Sequence, residues 1–307
     1  MSLLAPLLLA PLLWAQLSGT ATTTQVLEPQ GPNTPLIALA SAGLSGLVLG
    51  VGTQAWWKDG LQAFSLRETG FLERDTYAGG ADKLGHLYCT YVSMHIVASV
   101  YEELGMSSTA SVWYAALFTG LLWNGFELID GFTKYGFEYG DVVFNTLGIG
   151  LGALVQLVPE AGSLVGLRLG YVPSRDFLYR DKSFLKFIND YTGMTYYLDF
   201  YAKGALGLAG IEPGFLRYWV VGPIWSTEDY SPVRRHESRR RTFGFHVGLS
   251  LGEILREFGD RDPGVRAIAR FFDFYAVPFL GVTVASDLNT GAYYFGFGVS
   301  NRSEIPL

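Results

Sequence analysis

The hydrophobic pattern of this sequence changes its period near Pro159. Before Pro159 the apolar residues form long stretches of helical character, whereas after it they alternate with small or polar residues, as they do in β-strands. We therefore predict an α+β fold. A membrane-associated helical bundle at 35–160 is followed by a β-rich domain at 161–307, which forms an antiparallel sheet or a partial barrel.

Strand-like alternation is clearest in "TFGFHVGLSLG" at 242–252, where Phe243, Phe245 and Val247 point to one face and His246 to the other. Similar stretches predict about six strands, and the turn signal "SDLNTG" predicts a hairpin between the last two. The predicted strands are 164–172, 195–202, 216–225, 242–252, 277–285 and 292–300, with a helical insert near 253–273. Because a closed outer-membrane barrel has about eight strands or more, six strands favour a sheet packed on the helices.

The beginning of the sequence contains two apolar segments of different length. The Leu-rich run at 3–14 is too short to cross a membrane, and it predicts a signal peptide at 1–22, followed by a polar linker at 23–34. The 23 residues of 35–57 carry no charge and end in paired tryptophans. This length suits a membrane helix with the tryptophans at the interface. A buried packing helix rich in Gly and Ala is the alternative.

The composition favours an envelope protein over a typical soluble enzyme. Charged residues make up 16% of the sequence, against about 25% in ordinary soluble domains. The net charge of −6 argues against nucleic acid as a partner. The partners that remain are membrane lipid or another envelope protein. The predicted location is the bacterial cell envelope, on the periplasmic side or in the outer membrane. The basic run "RRHESRRR" predicts contacts with anionic lipid by Arg234, Arg235, Arg239, Arg240 and Arg241.

Three ionisable residues lie at the start of the predicted helix at 82–105, in "GGADKLGHLYC". Asp82 and His86 are four residues apart, so they share one helix face. In one interpretation Asp82 orients His86 as a general base or ligand, while Lys83 binds beside them. In the other, Asp82 complements the helix dipole, Lys83 reaches to an interface, and His86 only pairs with Asp82.

Two more helices carry polar residues at helical spacing. Glu127 and Asp130 lie three residues apart in "NGFELIDGF". Asp141 and Asn145 begin a stripe in "YGDVVFNTLGIGLG", whose glycines let a partner helix approach closely. We predict that the three helices build one polar cluster. Its candidate catalytic residues are His86, Asp82 and Glu127, and its candidate binding residues are Lys83, Asp130, Asp141 and Asn145. A divalent cation held by one histidine and several carboxylates is a less favoured alternative, so we expect no metal and no other cofactor.

These motifs resemble a known family. The pattern DKxGHxxxxY begins here at Asp82, ExxDGFxxxGFxxxD appears as "ELIDGFTKYGFEYGD", NxxG as "NTLG", and DYxGxTYWL as "DYTGMTYYL" at 190–198. Over residues 56–201 the sequence is similar to the YfiM-like family of predicted periplasmic or envelope proteins, a domain of unknown function. The likeness to VanZ-like membrane proteins is more distant, because Asp130 stands where that family carries Gln and its Arg before the third motif is missing. The resemblance implies envelope residence and no established reaction.

Three functions remain open from the sequence. The first is a YfiM-like envelope membrane protein that binds lipid or protein and uses the polar cluster structurally. The second is a VanZ-like membrane enzyme, acting on a lipid-linked or cell-wall substrate with His86 as base. The third is a small outer-membrane β-barrel protein. His95 and His246 are predicted to be structural, and Cys89, the single cysteine, is predicted to be a core residue.

Overall fold

The computed structural model describes most of the chain after the predicted signal peptide. The described residues are 31–174, 177–178, 187, 189–230, 239–259, 262–297 and, for the backbone alone, 301–305. The predicted signal peptide at 1–22 and most of the predicted linker at 23–34 lie outside the described residues.

Four long helices form the N-terminal half. They are α1 (Thr34–Ala55), α2 (Ala81–Glu103), α3 (Ser108–Asp130) and α4 (Tyr139–Leu157). Side-chain caps fix two of their starts, because Asn33 accepts a hydrogen bond from the backbone N–H of Leu36, and Ser107 accepts one from that of Ala110. The last three helices confirm the prediction from apolar periodicity.

Helix α2 lies at the centre of the bundle, and its closest approach is to α4. A Cβ added to Gly148 of α4 would come within 2.1 Å of the Leu87 carbonyl oxygen, and one added to Gly152 within 2.8 Å of Met94 Cβ. Only glycine leaves room for the two backbones at this spacing. The predicted close approach along the glycine stripe is therefore confirmed, and it brings the start of α4 against the start of α2.

Seven antiparallel strands form the sheet of the C-terminal half. In chain order they are β1 (Val165–Tyr171), β2 (Met194–Tyr201), β3 (Trp219–Glu228), β4 (Arg240–Leu249), β5 (Gly281–Asp287), β6 (Tyr293–Phe297) and β7 (Asn301–Ile305). Each strand pairs with the next one in sequence. The six predicted strands and the predicted α+β fold are confirmed, and β7 is an additional strand.

Short helices lie just before the first strand and between later strands. They are α5 (Pro159–Leu164), α6 (Ala202–Leu208), α7 (Leu251–Gly259) and α8 (Pro263–Phe271). The last two are the helical insert predicted near 253–273. After them the chain passes along the free edge of β1, where Leu169 donates its N–H to the Phe274 carbonyl and accepts from Ala276 N–H.

The sheet is polar on its inner face and apolar on its outer face. In β4, Phe243, Phe245 and Val247 are 40%, 58% and 45% exposed, whereas Thr242 and His246 are buried on the other face. The same alternation continues into the neighbouring strands, because the register pairs outer-face residues with one another. The predicted alternation is therefore confirmed, and the exposed face is the apolar one.

A shared core joins the helical half to the sheet. Tyr88 and Tyr91 of α2 belong to the same buried cluster as Leu169 of β1 and Tyr196 of β2. Hydrogen bonds cross the junction as well, including one from Trp225 Nε1 of β3 to the Gly79 carbonyl oxygen at 3.2 Å. The apolar core is thus continuous across the predicted boundary at 160.

Helix α1 lies on the outside of the bundle. Among the described residues, α1 and α4 are the two helices long and apolar enough to cross a membrane by length and composition. The apolar part of α1 is only 6% buried, against 39% for α4. The tryptophans after α1 turn inward, since Trp56 is 2% exposed and both rings pack on Phe126. The predicted position of these tryptophans at a membrane interface is corrected accordingly.

Candidate functional site

The ends of α2, α3 and α4 meet in a buried polar cluster. Every residue in it is at most 5% exposed. The cluster contains all seven residues singled out from the sequence, namely Asp82, Lys83, His86, Glu127, Asp130, Asp141 and Asn145. Their convergence follows from the packing of α2 on α4, because the glycine stripe places Asp141 and Asn145 beside the first turns of α2.

Lys83 holds the acidic side of the cluster together. Its Nζ lies 2.7 Å from Asp141 Oδ1 and 2.5 Å from Glu138 Oε2, and 3.8 Å from Asp82 Oδ2. Burial works to lower the pKa of Lys83, but Asp141 and Glu138 raise it above its usual value overall. Lys83 is therefore a fixed positive charge inside the bundle.

His86 occupies the centre of the cluster. Its Nδ1 lies 3.2 Å from Asn145 Oδ1 and 3.4 Å from Glu127 Oε1, and its Nε2 lies 3.6 Å from Asp141 Oδ1. Neither His86 Nε2 nor Glu127 Oε1 has a hydrogen-bond partner among the described residues. Burial lowers the pKa of His86 to about 4, although Asp141 opposes this shift. The imidazole is therefore neutral near neutral pH.

Asp82 and Asp130 tie the cluster to its surroundings. Tyr191, in the turn before β2, donates its hydroxyl to Asp82 Oδ1 at 2.5 Å. Trp57 donates its Nε1–H to Asp130 Oδ1 at 2.5 Å. These two bonds link the cluster to the sheet on one side and to the end of α1 on the other.

The carboxyl groups of α3 resist ionisation. Burial, together with Asp141 and Asp130, raises the pKa of Glu127 well above its usual value. Burial also raises the pKa of Asp130 to about 7, although the hydrogen bond from Trp57 lowers it. A neutral imidazole beside protonated carboxyls can accept a proton, donate one or coordinate a cation.

Sequence reasoning missed three partners of this cluster. Glu138 and Tyr191 lie inside the quoted motifs, but only the fold shows that they reach Lys83 and Asp82. The sequence places the paired tryptophans at a membrane interface, whereas the structure shows Trp57 bonded to Asp130. Each pair is separated by more than fifty positions along the chain, so no local spacing indicates the contact.

A second buried polar group lies on the inner face of the sheet. Asp199 of β2 accepts hydrogen bonds from Arg168 of β1 and pairs with His246 Nε2 of β4 at 2.5 Å. The sequence predicts a structural role for His246 and shows no partner nearby in the chain, and the structure supplies Asp199 from β2, two strands away in the sheet. His95 packs against the rings of Tyr91 and Phe274, in agreement with its predicted structural role.

The described arginines of the basic run contact the protein itself. The Arg239 guanidinium lies 5.2 Å from the centre of the Tyr230 ring, and Arg240 pairs with Glu228 at 3.0 Å. Arg241 donates to Asn289 and to a backbone carbonyl. Arg234 and Arg235 lie outside the described residues. Lipid contact by this run stays a prediction.

Comparison with known proteins gives one family match. The family described as "Predicted periplasmic lipoprotein (DUF2279)" matches residues 68–157, a segment that contains α2, α3, α4 and the whole polar cluster. No curated protein matches the chain. No solved structure matches it either. The match supports an envelope location and a likeness to a family without an assigned reaction. Cys89 is buried in α2 and is not placed to carry the lipid that the family description names.

Proposed function

We propose that this chain is an envelope protein that binds membrane lipid through the apolar outer face of its sheet. The observation that carries the proposal is the alternation in β4, where the outer-face side chains are 40–58% exposed and the inner-face ones are buried. Strands that face lipid show this arrangement, with apolar residues outward and polar residues inward. The YfiM-like motifs agree with such a role.

The exposed apolar face extends over several strands. In register with Phe245 of β4 lies Val284 of β5, which is 51% exposed, and next to it Phe295 of β6, which is 47% exposed. Soluble monomers rarely expose contiguous apolar patches larger than a few hundred Å². We therefore expect another molecule to bind this apolar face of the described sheet.

Two features favour lipid over protein as that molecule. The helical half also exposes large apolar side chains, for example Trp113, Leu117 and Leu121 of α3, which are 60–68% exposed. A single protein partner would cover one patch, whereas lipid covers apolar surface wherever the membrane meets it. In addition, a groove of about 200 Å³ between α2 and the outer face of the sheet is lined by Leu84, Trp225 and other apolar groups. A groove lined by apolar side chains can hold part of an acyl chain.

Vesicle binding tests the proposal. The purified chain is mixed with vesicles of phosphatidylethanolamine and phosphatidylglycerol, and the bound fraction is measured by flotation. Because burial of one phenylalanine contributes about 1.5–3 kcal/mol, we expect Phe245→Asp to lower the partition coefficient about tenfold or more. Gln62→Asp is the matched control, since it adds the same charge at an exposed polar side chain without removing apolar surface. Equal binding of the wild type and Phe245→Asp would refute lipid binding by this face.

The VanZ-like enzyme is the second candidate, with His86 as base on a lipid-linked or cell-wall substrate. The free Nε2 of His86 beside Asp141 favours it. A substrate has to reach that nitrogen, however, and His86 is 3% exposed. The closed arrangement therefore favours the lipid-binding role. The outer-membrane barrel is less favoured, because the seven described strands fall below about eight.

A further inference from the structure

The polar cluster contains an unsatisfied nitrogen whose surroundings define what it needs. His86 is 3% exposed, and its Nε2 has no hydrogen-bond partner among the described residues. A buried polar atom without a partner is energetically unfavourable. The nearest anionic atom is Asp141 Oδ1, at 3.6 Å.

The hydrogen bonds of Asn145 fix the tautomer of His86. Asn145 donates its Nδ2 to Asn124 Oδ1 at 3.3 Å, which turns its own Oδ1 towards His86 Nδ1 at 3.2 Å. An amide oxygen only accepts, so the proton of the neutral ring sits on Nδ1. The Nε2 lone pair then faces the Asp141 carboxylate. Two acceptors that face each other in a dry interior repel, and a cation between them removes that repulsion.

Asp82 supplies a third donor atom at the same place. It precedes His86 by one helical turn, and one ligand atom each from Asp82, His86 and Asp141 lie within 4.8 Å of one another. Atoms bound to one ion at about 2.0–2.2 Å are at most about 4.4 Å apart. The 4.8 Å bound is wider than this largest separation, so an ion bound here draws the three ligand atoms closer together.

The charges of the cluster also favour a cation. The ammonium of Lys83 contacts Asp141 and Glu138 and lies 3.8 Å from Asp82. When these three carboxyls are ionised, one lysine leaves two negative charges uncompensated among these four side chains. Uncompensated charge in a buried site is strongly unfavourable, and one divalent ion would neutralise it.

We propose that Asp82, His86 and Asp141 form a binding site for a divalent transition-metal ion. One imidazole nitrogen with two carboxylates suits Zn²⁺ or Mn²⁺ better than Ca²⁺, which takes oxygen ligands alone. Asn145 is a positioning residue, because it holds the ring nitrogen opposite the metal. Most histidines that bind a metal donate the N–H of their other ring nitrogen to a neighbouring acceptor in this way. The site also explains why the ends of three helices carry so many ionisable groups in a dry bundle.

Metal titration of the purified full chain tests this site. The protein is freed of metal with a chelator and then titrated with MnCl₂ or ZnCl₂ by calorimetry, and bound metal is counted by mass spectrometry after dialysis. We expect one equivalent to bind to the wild type and His86→Gln to weaken binding at least about tenfold. His95→Gln is the matched control, since His95 is a second, half-buried histidine of α2 whose buried Nε2 also has no hydrogen-bond partner among the described residues. It faces aromatic rings, so its loss leaves binding unchanged.

A second measurement keeps the test decisive if His86→Gln does not fold. Pulsed electron paramagnetic resonance of Mn²⁺ bound to the wild type reports directly whether an imidazole nitrogen is coordinated. Nitrogen coupling in the wild type and in His95→Gln supports the site. Absence of bound metal, absence of that coupling, or equal loss of affinity in both histidine variants would overturn it.

Discussion

Asp130 is a buried carboxyl whose ionisation the fold opposes. Burial raises its pKa to about 7, against about 3.9 in an unfolded chain. Because the folded state binds this proton more tightly, the contribution to stability is fully present below about pH 4 and is lost as the pH rises through about 7. Asp130→Asn removes the titration. From pH 5 to pH 8 we expect the free energy of unfolding of the variant to rise relative to the wild type by on the order of 2 kcal/mol, as measured by urea denaturation.

An exposed carboxylate provides the control for this titration. Asp59 pairs with Lys134 at the surface, and that lysine holds the pKa of Asp59 below its usual value. Asp59→Asn should therefore change stability by the same amount at pH 5 and pH 8. Trp57→Phe should move the Asp130 transition to higher pH, because the indole hydrogen bond lowers the pKa of Asp130. A difference between Asp130→Asn and the wild type that stays constant over this range would contradict the assignment.

The residues of the polar cluster could be predicted from the sequence, but the hydrogen bonds and ion pairs that join them to other elements could not. Helical spacing alone places Asp82 with His86 and Asp141 with Asn145, since side chains four residues apart share a helix face. The partners Glu138 and Tyr191 depend on how α2 meets the loop before α4 and the turn before β2. Those contacts are set by tertiary packing, for which a single sequence contains no periodic signal.

At the scale of elements, the approach of α4 to α2 depends on two glycines. A Cβ on Gly148 would lie 2.1 Å from the Leu87 carbonyl oxygen and 2.2 Å from Thr90 Oγ1. We expect Gly148→Ala to lower the free energy of unfolding by about 1–3 kcal/mol or more, because the helices must separate. Thermal or urea unfolding followed by circular dichroism measures the change.

Gly150 is the matched control on the same helix. A Cβ there meets nothing within 4 Å. Gly150→Ala should raise stability by about 0.5–1 kcal/mol, since alanine is the better helix former. Similar effects of the two alanines would mean that the helices do not pack through Gly148.

The strands differ in how clearly the sequence indicates them. Strand β4 shows strict alternation of large apolar and small or polar residues, so its position and its two faces follow from the pattern. Strand β7 reads "NRSEI" and has a single apolar residue. It becomes a strand because its backbone pairs with the edge of β6 that β5 leaves open. The alternation also does not say which face is exposed, because an apolar face can be covered by a core or by lipid equally well.

At the scale of the whole molecule, the two halves predicted as separate domains share structure. Tyr88 of α2 donates its hydroxyl to the Phe274 carbonyl oxygen at 2.8 Å, and Tyr230 donates to the Arg74 carbonyl at 2.8 Å. Together with the common apolar core, these bonds mean that neither half completes its own interior. The change of period at Pro159 therefore marks a change of secondary structure and need not mark a unit of folding. The division at 160 stays a prediction until the two halves are unfolded separately or together.

A substitution at Leu169 distinguishes joint unfolding of the two halves from separate unfolding. Leu169 lies in β1 with no exposed surface, and it belongs to the same buried cluster as residues of α2. Leu169→Ala should lower the free energy of unfolding by about 2–5 kcal/mol. If the chain unfolds as one unit, hydrogen exchange followed by mass spectrometry will show equal loss of protection in β1 and α2. Leu121→Ala, at a leucine 68% exposed on α3, should change neither. Loss confined to the strands would instead establish two folding units that meet near residue 160, and the shared core would then be an interface between them.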